Sequence, residues 1–167
     1  MNRSLQNREL RLIIGKQHIK QIEKFVEVIC DDNHIYDEYY ANIVAANTMF
    51  AEYICSLSNC ESYKVKVKFF RDKSGLRFKY YLDELFLDIA SNHEKLSTFH
   101  YDSIENLDTH LQGMMAITLL CDDITTDPEE ETFELFFRIT GVNELLAVQR
   151  IELLKRYYSM IGASVKQ

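Results

Sequence analysis

The stretch Tyr80-Tyr81-Leu82-Asp83-Glu84-Leu85-Phe86-Leu87-Asp88 decides how this chain reads. It continues a strand that alternates Phe78, Tyr80 and Leu82 on one side with Arg77, Lys79 and Tyr81 on the other, and it runs into an Asp-Glu pair. Strict alternation marks a strand with one face in a core and one in water. Just upstream, Val65, Val67 and Phe69 alternate with Lys64, Lys66 and Lys68. The turn residues Asp72-Lys73-Ser74-Gly75 join the two runs, so 63–70 and 76–82 are expected to form a hairpin.

Working outward, Glu9 to Ile14 reads as a first strand closed by Gly15. Ile19, Ile22, Val26 and Ile29 recur at helical spacing from Lys16 to Cys30. The run from Asp37 to Leu57 is apolar almost all round after Ala41, as a buried central helix would be. Asn92 to Asp108 is polar and irregular, with room for one short helix, and is expected to be a mobile loop. Thr109 to Asp122 reads as a third helix, and Ile124–Thr126 with Thr132–Ile139 as a second hairpin turning at Asp127-Pro128-Glu129-Glu130. Asn143 is the expected cap of a last helix ending near Ile161. This order predicts an α+β two-layer sandwich: a mixed, mostly antiparallel sheet with helices on one face.

The 167 residues are enough for one core, and the net charge of −7 argues against nucleic acid and anionic membrane as partners. No apolar run has the length of a membrane span, and residues 1–8 have no apolar core of a secretion signal, so the expected location is the cytoplasm. Cys30, Cys55, Cys60 and Cys121 form no CxxC pair, and the five histidines show no ligand spacing, so no metal site is expected.

The element order and three landmarks resemble the GHKL (Bergerat-fold) ATPase superfamily, above all its bacterial anti-sigma-factor serine kinases. The resemblance implies a Bergerat domain over 1–141 and a C-terminal helical extension over 142–167, packed on it or at an interface. In that family a Glu general base and a Mg²⁺-ligating Asn lie four residues apart on the buried helix. Here those positions are Asn47 and Ala51. An amide takes no proton at neutral pH and a methyl group ligates no metal. Glu52 is rotated about 100° away on the helix.

The family's adenine-binding Asp and its DxGxG pattern correspond to Asp83-Glu84-Leu85-Phe86-Leu87, where leucines replace both glycines and are expected to fill the nucleotide's space. The junction of lid and helix reads Leu111-Gln112-Gly113-Met114, with one glycine retained. The remnant nucleotide site is therefore Asn47, Asp83 and Gly113, with no catalytic residue, no metal and no cofactor expected. The resemblance implies a non-catalytic regulatory, protein-interaction domain. Its partner would be a sigma factor or an anti-anti-sigma-like regulator. The alternative is a divergent, active ATP- and Mg-dependent serine kinase acting on a small regulatory protein. A third reading is an unrelated α+β domain that shares only the element order.

Two surfaces remain. Lys64, Lys66, Lys68, Arg77 and Lys79 share one sheet face, which reads either as a solvated face that blunts aggregation or as a docking face for an acidic protein. Ala147, Ile151, Leu154, Tyr158 and Ile161 stripe the last helix, which either packs on its own domain or forms a homodimer or partner interface.

Overall fold

The computed structural model describes residues 8–15, 17–35, 37–57, 63–98, 107–139 and 144–165. The element order is β1 (Arg8–Ile13), α1 (His18–Asp32), α2 (Asp37–Leu57), β2 (Lys64–Arg71), β3 (Gly75–Tyr81), a short 3-10 turn (Asp83–Leu85), α3 (Phe86–Ser97), α4 (Thr109–Leu120), β4 (Asp123–Asp127), β5 (Thr132–Arg138) and α5 (Glu144–Val165). The fold is α+β, with one five-stranded sheet in the order β1-β2-β3-β5-β4.

Every ladder in that sheet is antiparallel, which corrects the mixed sheet expected from the sequence. The reason lies in the crossover from β3 through α3 and α4 to β4. It joins two strands that run the same way, but β5 inserts between them and pairs with each in the opposite sense. The turn before β3 forms as its residues dictate. Asp72 Oδ1 accepts from the backbone N–H of Ser74 at 2.7 Å and of Gly75 at 3.1 Å. A Cβ on Gly75 would stand 2.1 Å from the Phe137 carbonyl oxygen, so only glycine lets β3 approach β5 there.

The pleat sorts the side chains. Val65, Val67 and Phe69 from β2, Leu76, Phe78 and Tyr80 from β3, and Phe133, Leu135 and Phe137 from β5 are buried in one core. Against them pack Ile22, Val26 and Ile29 of α1, Ile43, Ala46, Phe50 and Ile54 of α2, and Met114 and Ile117 of α4. A second apolar cluster, Leu107, Met115 and Leu119, receives Leu153, Leu154 and Met160 from α5.

The expectations at α3 hold only in part. The short helix allowed for within 92–108 is the end of a longer one that starts at Phe86, because Phe86, Ile89 and Leu96 place an apolar stripe under an otherwise polar segment. Leu87 lies outside that stripe and is 76% exposed, so it does not fill the interior as expected. Leu85 packs at the edge of the core. The expected cap at Asn143 and Cys60 lie outside the described residues.

Candidate functional site

Asn47 sits at the centre of α2 with its side chain fully buried. Its Nδ2 donates to the Ile43 carbonyl one turn back at 2.8 Å, and its Oδ1 accepts from the Tyr80 hydroxyl at 2.6 Å. The Tyr80 phenol is wholly enclosed, and burial holds its pKa well above the ordinary value. Both groups are neutral and each satisfies the other, which is what a buried polar pair needs.

Around that pair the space is aromatic. The Phe50 ring lies 4.7 Å from Tyr80 edge-on and 4.8 Å from Phe133 in a stacked pose. Tyr53 stacks beyond Phe50 at 6.4 Å, and its hydroxyl accepts from Asn92 Nδ2 at 2.7 Å, tying α2 to α3. Ala51 is also fully buried. Phe50, Tyr53, Tyr80 and Phe133 belong to one buried core, against which Leu85 packs and from which Leu87 is absent.

Asp83 and Gly113, the other two residues of the nucleotide site expected from the sequence, stand in different surroundings. Asp83 is exposed at the end of β3, with a left-handed φ of 46°. The neighbouring Glu131, whose carbonyl accepts from the Leu82 N–H at 3.0 Å, has a left-handed φ of 54°. Gly113 lies in the second turn of α4, not at its start. A Cβ there would touch Tyr53 at 3.4 Å. The start of α4 is capped by Asp108, whose carboxylate accepts from the Leu111 N–H at 2.8 Å and whose carbonyl accepts from the Gln112 N–H at 2.9 Å.

Open space occurs on the other side of α4. A cavity of about 140 Å³ between α3 and α4 is lined by His93, Leu96, Ser97, Met115, Thr118 and Leu119. At about 100° per residue, Met115, Thr118 and Leu119 lie roughly opposite Gly113 on the helix. Burial lowers the pKa of His93, against a smaller opposing pull from Asp123.

His18 was not singled out by the sequence. Its Nδ1 accepts from the Gly15 N–H at 3.1 Å, and its Nε2 is buried with no hydrogen-bond partner among the described residues. Burial lowers its pKa, while the Glu52 carboxylate acts in the opposite direction. No spacing in the sequence signals the burial of His18, because it depends on how α1 packs in the fold. Burial also pushes the Cys30 thiol up to about 12, so it is no nucleophile at neutral pH. Among the described residues, no group of three His, Cys, Asp or Glu side chains is placed to hold a metal ion.

On the opposite face of the sheet, the five cations lie together on β2 and β3. Arg77 donates to Asp72 at 3.1 Å and to Glu134 at 2.9 Å, and Lys79 pairs with Glu130. The ammonium of Lys66 stands 4.0 Å from the Tyr81 ring centroid, with Lys68 at 5.4 Å and Lys79 at 5.7 Å. These cation–π contacts hold the lysines over an aromatic platform.

No family model matches the chain, and no curated protein matches it either. Among solved structures, it is similar to a chain in the crystal structure of the SiaB-SiaC complex from Pseudomonas aeruginosa. The TM-score is 0.55 at 9% sequence identity, over 78% of this chain and 89% of that one. At this identity the likeness is one of fold. No described helix is long and apolar enough to cross a membrane.

Proposed function

We propose that this chain is a regulatory protein-interaction domain on a degenerate Bergerat-type fold, which binds a protein partner and performs no phosphoryl transfer. The observation that carries the reading is the Asn47–Tyr80 hydrogen bond within the aromatic cluster. The position where the resembled kinases keep their general base is here an amide committed to core packing, and the metal-ligand position is a buried methyl group. Phosphoryl transfer depends on metal and positioning, so those two losses remove most of its rate. The fold neighbour comes from a complex of two proteins, which supports a protein partner here. The outer sheet face with Lys64, which is exposed, and the part-buried Lys66, Lys68, Arg77 and Lys79 is the surface we assign to protein contact.

Isothermal titration with Mg-ATP tests the reading. The expected result is no heat of binding and no turnover. Micromolar binding with phosphate release would replace it with the active serine-kinase alternative.

A further inference from the structure

The outer face of the sheet is electrostatically divided. Its β1–β2 side carries Arg11, Lys64, Lys66 and Lys68 against the single carboxylate of Glu9. Its β5–β4 side carries Glu134, Asp123 and Asp127 against the single cation of Arg138 at the far end. Strand β3 lies midway between the two halves.

The register aligns these residues in rows across the strands. One row reads Arg11, Lys66, Tyr81, Thr132, Asp127 from β1 to β4. The next reads Glu9, Lys68, Lys79, Glu134, Thr125, and a third reads Phe70, Arg77, Phe136, Asp123. A two-fold axis parallel to β3 and lying between two stacked sheets leaves each row in place and reverses it. Arg11, which also holds Glu9 of its own chain at 3.0 Å, then faces Asp127 of a second copy, Lys68 faces Glu134, Phe70 stands over the Arg77 guanidinium that covers the buried Phe136, and Tyr81 meets its own mate. Lys79 and Arg77 fall on the axis, where like charges would meet. Each is already neutralised within its own chain, by Glu130 and by Asp72 with Glu134. Arg77 engages Oε1 of Glu134, which leaves Oε2 for Lys68 of the other copy.

We propose that the outer sheet face binds a second copy of this chain in an isologous dimer, with β3 of the two copies on the axis and the β1–β2 cations over the β5–β4 carboxylates. A surface closes on itself about a two-fold only when it is self-complementary, and a face split into opposite halves meets that condition. The proposal rests on the reading of this face as a protein interface and is independent of the fate of the nucleotide site. The footprint is about 19 Å by 23 Å, roughly 450 Å² per copy, from strand spacing and rise. That is below the roughly 800 Å² per partner of standard stable complexes, so the dimer is transient and salt-sensitive.

The experiment is sedimentation velocity on the whole chain in low and high salt, with Lys68→Glu and Glu134→Lys, each checked for folding by circular dichroism. The wild type is expected to dimerise in low salt and dissociate in high salt. Each single variant puts two like-charge pairs in its own dimer and should raise the dimer Kd roughly tenfold or more. Mixing the two variants restores opposite charges at both contacts between positions 68 and 134, so a heterodimer should form where neither variant dimerises alone. A wild type that is monomeric at every salt concentration overturns the proposal. So does a dimer that both variants leave intact, which would move self-association to another surface such as α5. Mg-ATP titration of the same samples reads the nucleotide question separately.

Discussion

Tyr80 and Tyr81 are adjacent on β3, and the pleat sends one ring into the helix layer and the other to the open face of the sheet. Tyr80 is fully buried, gives its hydroxyl to Asn47 and touches the Phe50 ring. Tyr81 is half-buried and lies under the ammonium groups of three lysines. The same side chain serves packing on one face and charge placement on the other. The difference is one of environment: the Tyr80 hydroxyl is held by a neutral amide inside the core, whereas the Tyr81 ring lies among cations of the outer face, of which Lys79 pairs with a carboxylate of the same chain.

The inner side breaks first. Phe50→Ala removes the ring that touches Tyr53, Tyr80 and Phe133, and it should cost about 3–5 kcal/mol, read as a fall in the urea midpoint. Tyr80→Phe keeps the ring but leaves the buried Asn47 Oδ1 without its donor, at a cost of about 1–3 kcal/mol. Tyr81→Phe at the neighbouring position should change stability by less than about 0.5 kcal/mol. Equal losses at the two tyrosines would erase the contrast between the faces.

The smallest effect concerns pH. Burial holds His18 below the ordinary histidine pKa in the folded chain, with Glu52 as the opposing charge. Full stability is present above the ordinary value of about 6.5 and declines as pH falls through it, because the unfolded chain takes up a proton that the fold refuses. His93 contributes in the same direction. His18→Asn keeps an acceptor for the Gly15 N–H and should flatten part of the decline between neutral and mildly acidic pH, measured by thermal melts. An unchanged slope would show that His18 is not the group that titrates.

Much of this fold was legible in the sequence because it is written in local periodicity. The alternation of Val65, Val67 and Phe69 with three lysines places β2 and its faces, and Asp72 to Gly75 places the turn. What escaped is non-local or faint. The insertion of β5 between β3 and β4 depends on a pairing that no local pattern encodes. Helix α3 rests on Phe86, Ile89 and Leu96 among polar residues, too thin a stripe to outweigh its composition. The Asn47–Tyr80 bond spans 33 residues and two elements. The stacking of Phe50 on Phe133 likewise joins residues far apart in the chain, which no local pattern encodes.

Asp108 at the head of α4 carries a consequence of its own. The exposed N–H groups and positive dipole end of a helix form a small anion trap. Here the trap is loaded from within, by a carboxylate tethered one residue away and so present at an effective concentration far above that of a free metabolite. A phosphate arriving there enters as a competitor against the chain's own anion.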